Sequence, residues 1–353
     1  MMKILTLCFS TLAAVSAITS TAAAKKAKPL FRADDTIKVT INGPIKQIQR
    51  KAPYATDPYD ATLILEGDAA EEHAIILSAR GKSRRNKNLC TFPPLRVEFK
   101  VKPDDPSLFD GQKRLKLVTH CRTSSRFQQY YLLEYTAYRL LNILSPTSLK
   151  VRLAEIDYYD SDKETVVATR IGFFIEDTDD AAKRNDLKEI DVPDIEVAQL
   201  NHGAAGQYAV MQYMIGNLDW SMHNGPDGVD CCHNTKLMGE TKQSRENLIP
   251  VAYDFDYSGL VDSPYAAPPT TVRVRDVRKR YYRGMCVHNA AAQAAVLKIL
   301  QQRDALYKTV DEITDLDKRS RNRTVAYLDD FFEDIATPED VQKNLLKVCR
   351  GDD

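Results

Sequence analysis

Between Tyr213 and Gly259 the chain carries two acidic stations whose residue types and spacing suit metal-assisted phosphoryl transfer. In the first, Asp219 leads Asn224 by five residues; the second is Asp254-Phe255-Asp256, which ends the apolar run from Leu248 to Tyr253. One acid can orient an attacking hydroxyl. An amide oxygen and the other acid can hold Mg²⁺, a hard cation that takes oxygen ligands and shares its shell with phosphates. The residues therefore predict a kinase-like phosphotransferase.

The elements that must position these groups are legible from hydropathy. Short alternating segments at Thr36 to Ile41, Ala61 to Glu66, His73 to Ala79, Leu95 to Lys102 and Arg114 to Thr119, separated by turn-rich stretches, predict an antiparallel meander. Between two of them runs Arg80-Gly81-Lys82-Ser83-Arg84-Arg85-Asn86-Lys87, a basic loop able to hold phosphate, or else a solvated hairpin tip. A helix is predicted from Arg126 to Leu144. At about 100° per residue its Gln128, Gln129, Thr136, Arg139 and Asn142 share one face, and Glu134 lies opposite with Tyr130, Tyr131, Ala137, Tyr138 and Leu141. An inward carboxylate needs a cation, and Lys116 on the preceding strand is the expected partner. Strands return at Val151 to Tyr159 and Val166 to Ile175, followed by the acidic stretch Glu176 to Asp180, a predicted hinge. Gln207 to Leu218 then has helical spacing and delivers the chain to Asp219, and helices are expected at Asn289 to Ile313, at Asn322 to Ile335 and from Thr337.

Composition narrows the class. The chain has 353 residues with 49 basic and 49 acidic side chains, so no global field argues for nucleic acid or a membrane surface. Residues 1–24, with an early lysine, an apolar middle and Ala22-x-Ala24, predict a secretory signal peptide cleaved before Lys25. No later stretch is apolar enough to span a bilayer, so a periplasmic or secreted protein without an integral membrane segment is expected. Six cysteines follow the leader: Cys90, Cys121, Cys231, Cys232, Cys286 and Cys349. In an exported chain they predict disulfides, with Cys231 and Cys232 expected to take different partners. The six histidines show no paired ligand spacing, which disfavours a metal hydrolase.

The ordered set RGKS at Arg80, IGFFIED at Ile171, NLDWSMHN at Asn217, HNTKL at His233 and YDFDYSG at Tyr253 resembles the spore-coat protein H (CotH) family of secreted atypical kinases, over roughly Ala79 to Val261. The resemblance implies ATP with Mg²⁺ or Mn²⁺ as cofactor and a protein hydroxyl as acceptor. By it Asp219 is the catalytic acid, Asn224 or Asn234 joins Asp254 on the metal, and Asp256 is a rival or additional ligand because D-F-D stands where the family has D-F-G. Lys116 and Glu134 become the phosphate-gripping pair, with Arg80 and Glu176 further cofactor-binding candidates.

The expected fold is accordingly α+β and two-lobed, protein-kinase-like. A polar lead-in at 25–35 precedes a mostly antiparallel β N-lobe at 36–175, which includes helix 126–144, and a mostly α C-lobe follows at 176–353. The basic run from Arg273 to Arg283 would favour an acidic or phosphorylated protein partner. The competing class is a non-catalytic exported module, whether pseudokinase or assembly protein. It has no reason to gather Lys116, Glu134, Asp219 and Asp254 in one cleft.

Overall fold

A computed structural model describes residues 25–67 and 69–351; the expected leader lies outside them. The chain begins with β1 (Ile37–Gly43), α1 (Ile45–Lys51), β2 (Tyr59–Leu65), β3 (Glu71–Ala79), β4 (Leu95–Phe99) and β5 (Arg114–Val118). The helix α2 (Ser125–Leu144) follows, then β6 (Val151–Asp160) and β7 (Thr165–Ile175). The second half holds α3 (Thr178–Arg184), β8 (Lys188–Ile190), α4 (His202–Ile215), β9 (Thr235–Gly239) and β10 (Ile249–Ala252). It closes with α5 (Asn289–Gln301), α6 (Arg303–Glu312), α7 (Lys318–Asp334) and α8 (Pro338–Asn344).

The predicted strands are present with shifts of a residue or so at most ends, but their assembly differs from the expectation. They form a closed barrel in the order β1-β2-β3-β4-β5-β7-β6, and β1 pairs in parallel with β6 from Ile37↔Ala154 to Gly43↔Asp160. The barrel encloses its own core, including Val39, Ile41, Leu63, Leu77, Val97, Leu117, Ile156 and Phe174. A separate three-stranded sheet, β10-β9-β8, belongs to a second core with the helices. The two-lobed protein-kinase-like α+β fold, with a β N-lobe handing over to an α C-lobe, is therefore not the fold of this chain. Alternation reveals which residues face a core; it carries no information on whether the two edges of a meander meet.

Helix α2 also departs from the angular reading. Every residue from Tyr131 to Leu141 is buried, including Thr136 and Arg139 on the face expected to be polar. The helix belongs to the second core, which also takes Phe173 and Ile175 of β7, and a helix enclosed on all sides need not be amphipathic. Its polar groups are satisfied locally: Thr136 Oγ1 donates to the Leu132 carbonyl at 2.8 Å, and Arg139 donates to Tyr135 Oη at 3.0 Å and to Asp34 at 2.8 Å. The predicted helix from Asn289 to Ile313 is two, α5 and α6, meeting at Gln302.

The disulfides are Cys90–Cys121, Cys231–Cys232 and Cys286–Cys349, so the adjacent cysteines pair with each other, against the sequence expectation. Among the described residues no helix is long and apolar enough to cross a membrane. Barrel closure yields a direct check. Ile156, fully buried in β6 beside β1, should cost about 2–5 kcal/mol when replaced by Ala, as a full core position does. Urea unfolding would measure it, and a cost below about 1 kcal/mol would mean that this edge of the barrel is open.

Candidate functional site

Asp254 follows β10, whose Pro250, Val251 and Ala252 are buried. Its backbone has φ 65°, a left-handed conformation uncommon outside glycine, and its N–H donates to Tyr138 Oη of α2 at 2.9 Å. The next residue, Phe255, is fully buried with its ring 4.5 Å from that of Tyr138. This anchor turns Asp256 inward, where it is 5% exposed and its Oδ2 accepts from Tyr265 Oη at 3.0 Å. Ser263 Oγ donates to the Asp256 carbonyl at 2.7 Å, which lays the segment after the D-F-D against the acid.

Glu134 is 1% exposed in the middle of α2. Its partner is Arg84 of the basic loop, at 3.3 Å, and not Lys116 as the sequence suggested. Arg84 is itself buried and donates to the Thr119 carbonyl at 3.0 Å. Burial works against its charge, but the acidic groups facing it, Tyr265, Glu134, Asp256 and Asp254, more than offset that and hold the guanidinium protonated. Burial, with repulsion from the other two carboxylates, raises the pKa of Glu134 despite Arg84. Asp256 is raised for the same reasons, burial first and then the Asp254 charge. Arg80, half-buried, leaves its Nε without a hydrogen-bond partner, and burial lowers its pKa against the pull of Asp254.

Lys116 sits on β5 between the barrel-facing Leu115 and Leu117, so alternation turns it out of the barrel. Its Nζ lies 4.7 Å from the centre of the Tyr253 ring, and no carboxylate of a described residue is within ion-pair distance. Burial, helped by Arg80 and Lys236, pushes its pKa down to about 8, with Asp177 and Asp254 opposing. It lines a cavity of about 280 Å³ with Arg96, Arg114, Asp177, Glu189 and Lys236.

Asp219 comes shortly after α4, which Asn201 caps at its start and Gly216 ends with φ 63°. A side chain at Gly216 would collide with Tyr327 Oη, 1.9 Å from an added Cβ, so the left-handed turn into Asp219 needs glycine. His233 Nε2 donates to Asp219 Oδ1 at 2.7 Å, which raises the imidazole pKa. Asn234 Nδ2 donates to the Asp219 carbonyl at 2.7 Å and to Oδ2 at 3.0 Å. Of the two candidate amides it is thus Asn234 that reaches the acid, whereas Asn224 Oδ1 accepts from Ser221 Oγ. The sheet supplies the reason: Thr235 of β9 pairs with Ala252 of β10, and the Tyr253 N–H donates to the Asn234 carbonyl at 3.2 Å. Asn234 and Asp254 therefore flank the same open end of one antiparallel pair.

The fourth cofactor candidate, Glu176, is committed elsewhere. It receives Arg184 Nε at 2.9 Å and Nη2 at 3.0 Å together with the Lys150 N–H at 3.0 Å, a closed structural pairing. The structure adds Arg84, His233, Tyr138 and Tyr265 to the candidates. The basic loop at 80–87 and the HNTKL motif contained the first two. Nothing in a loop without periodicity marks which cation turns inward, or that His233 meets a residue 14 positions away.

The donors gathered here are oxygens, which suits Mg²⁺ or Mn²⁺. Among the described residues no group of three or more His, Cys, Asp or Glu side chains could by itself hold a metal ion. Asp254, Asp256 and the Asn234 amide would make a partial shell to be completed by phosphate oxygens, as Mg²⁺ sites commonly are. Compared with known proteins, the chain matches no family model and no curated protein.

The crowded carboxylates set a pH signature. A carboxyl whose pKa is raised by folding stays protonated while the unfolded chain ionises, so stability falls as pH climbs from the unfolded value near 4 toward the raised one. In metal-free protein Asp256→Asn, which keeps an acceptor for Tyr265, should remove that loss. The variant's advantage over the parent should be larger near pH 8 than near pH 5 by about 1 kcal/mol or more, the equivalent of one pKa unit. Denaturant titrations at both pH values test it, and an equal difference at both would refute the crowding.

Proposed function

We propose that this chain binds a nucleotide with a divalent cation and transfers a phosphoryl group to a protein hydroxyl, as an exported, periplasmic or secreted enzyme of the CotH-like kind its motifs resemble. The observation that carries the proposal is the convergence of four separate segments: the basic loop with Arg80 and Arg84, β5 with Lys116, α2 with Glu134, and the D-F-D turn. Arg84 meets Glu134 at 3.3 Å, the Asp254 N–H meets Tyr138 of the same helix at 2.9 Å, and Lys116 Nζ lies 4.7 Å from the ring of Tyr253, the residue before Asp254. The reading rests on these side chains and needs no kinase fold, because the same chemistry recurs on unrelated folds.

In it Asp254 and Asp256, with Asn234, hold the cation, which when bound supplies charge neutralisation. Arg80 and Lys116 hold phosphate oxygens, and Arg84 keeps Glu134 satisfied behind them. Asp219 accepts the proton of the attacking hydroxyl, oriented by His233 and Asn234. Of the basic run, Arg280 is spent on the carbonyls of Tyr213, Met214 and Tyr327, and Arg283 on those of Leu218 and Trp220. Arg273, Arg275 and Lys279 remain exposed and would favour an acidic or phosphorylated partner.

One observation favours the non-catalytic reading: Asp256 already has a partner in Tyr265 and Glu134 one in Arg84, so the cluster also works as an internal lock. Thermal unfolding with ATP and Mg²⁺ or Mn²⁺ separates the two. Ligand at about 100 times its dissociation constant should add about 2.7 kcal/mol, and Asp254→Asn, which tolerates the left-handed backbone, should abolish the gain. No metal-dependent rise in the folded parent protein would leave the lock as the function of the cluster.

A further inference from the structure

The loop from Gly225 to Cys232 ends on two bonded cysteines that lead without a spacer into His233 and Asn234, the side chains that hold Asp219. The other two disulfides have an evident structural purpose, joining positions 31 and 63 residues apart, and the first of them is buried. Stabilisation by a cross-link grows with the loop it closes. A bond between neighbours closes no loop of consequence, so it adds little to global stability and acts on the backbone where it sits.

That backbone is the support of Asp219. The His233 N–H donates to the Asn224 carbonyl at 3.2 Å, the Ser221 N–H donates to the His233 carbonyl at 2.9 Å, and the Tyr253 N–H donates to the Asn234 carbonyl at 3.2 Å. Cys232 Sγ lies 3.2 Å from the Met222 carbonyl oxygen, placing the sulfurs against the turn that follows Asp219. Both cysteines are half-buried, as Cys286 and Cys349 are, so a small reductant can reach them, whereas Cys90 and Cys121 are 3% and 2% exposed.

We propose that the Cys231–Cys232 disulfide is a redox-controlled latch on Asp219, opened by a small dithiol, whose release withdraws the two side chains that orient the acid. One thiolate of the reductant attacks a sulfur, the Cys231–Cys232 bond breaks and a mixed disulfide forms. The second thiol then displaces the remaining cysteine. The cysteines end as two thiols and the reductant as a cyclic disulfide, with two electrons and two protons transferred. The inference concerns the support of Asp219 and stands whether or not phosphoryl transfer is the reaction.

The test is hydrogen exchange on the whole chain with its native disulfides, under stepwise dithiothreitol, with alkylation and mass mapping to identify which pair has opened. Cys231–Cys232 should open before the buried Cys90–Cys121, and peptides spanning 219–235 should then exchange about tenfold faster while the barrel strands keep their protection. The C231S/C232S variant should show the same acceleration without reductant, and C286S/C349S should not. Unchanged exchange over 219–235 after reduction or in C231S/C232S would overturn the latch. So would prior opening of Cys90–Cys121. Loss of barrel protection in C231S/C232S would equally overturn it, by making the pair a global staple.

Discussion

A carboxylate buried in the middle of a helix can persist only if a cation is brought to it, and Glu134 with Arg84 is the interaction from which the rest of the site follows. Removing one member of such a pair typically costs about 3–5 kcal/mol, because the other charge is left buried and unpaired. Arg84 must therefore stay inside, and the loop that carries it is held on both sides: Arg85 donates to the Ala52 carbonyl at 3.2 Å, and Cys90–Cys121 ties the end of the loop to the approach to α2. A segment that reads as a solvated basic hairpin tip is thereby made part of the wall beside the D-F-D turn.

The second constraint is the mutual repulsion of Glu134, Asp254 and Asp256. The buried Glu134 and Asp256 and the half-buried Asp254 face Arg84, with Arg80 at the margin, and the outcome is raised pKa values for the two buried acids. Such a cluster stores electrostatic free energy that a cation or a proton can release, and perturbed acids of this kind gather at functional sites. Tyr265 lowers the cost of the arrangement by donating to Asp256, and in doing so it ties the proline-containing segment after the D-F-D to the same centre.

Asp219 belongs to a different support. It hangs from the end of α4 through a glycine that Tyr327 requires, and it is braced from β9 by His233 and Asn234. The barrel supplies Lys116 and the small sheet supplies Asn234 and Asp254, so the candidate site draws on both sheets and on α2. Regular elements thus carry Glu134 and Lys116, while loops and turns carry Arg80, Arg84, Asp219, Asp254 and Asp256.

What the sequence determined by itself were the local elements and the cast of residues. Period-two alternation placed seven strands of the first half, and a strand leading to Asp254 followed from a short apolar run, with β10 ending at Ala252. Glu134 is buried as the helical-face reading expected, although α2 is buried on the opposite face too, and a buried carboxylate demanded a cation. Tertiary structure alone decided which cation answered, because Lys116 and Arg84 are equivalent in charge and only the outward turn of Lys116 on β5 and the path of the basic loop choose between them. It brought Asn234, and not Asn224, to Asp219, since the β9–β10 register sets that position, and it gave His233 an acid 14 positions away along the chain. It also made a barrel of what reads as a meander. Edge-to-edge pairing and charge pairing between distant segments depend on relative positions in space, which alternation and spacing along a chain do not encode.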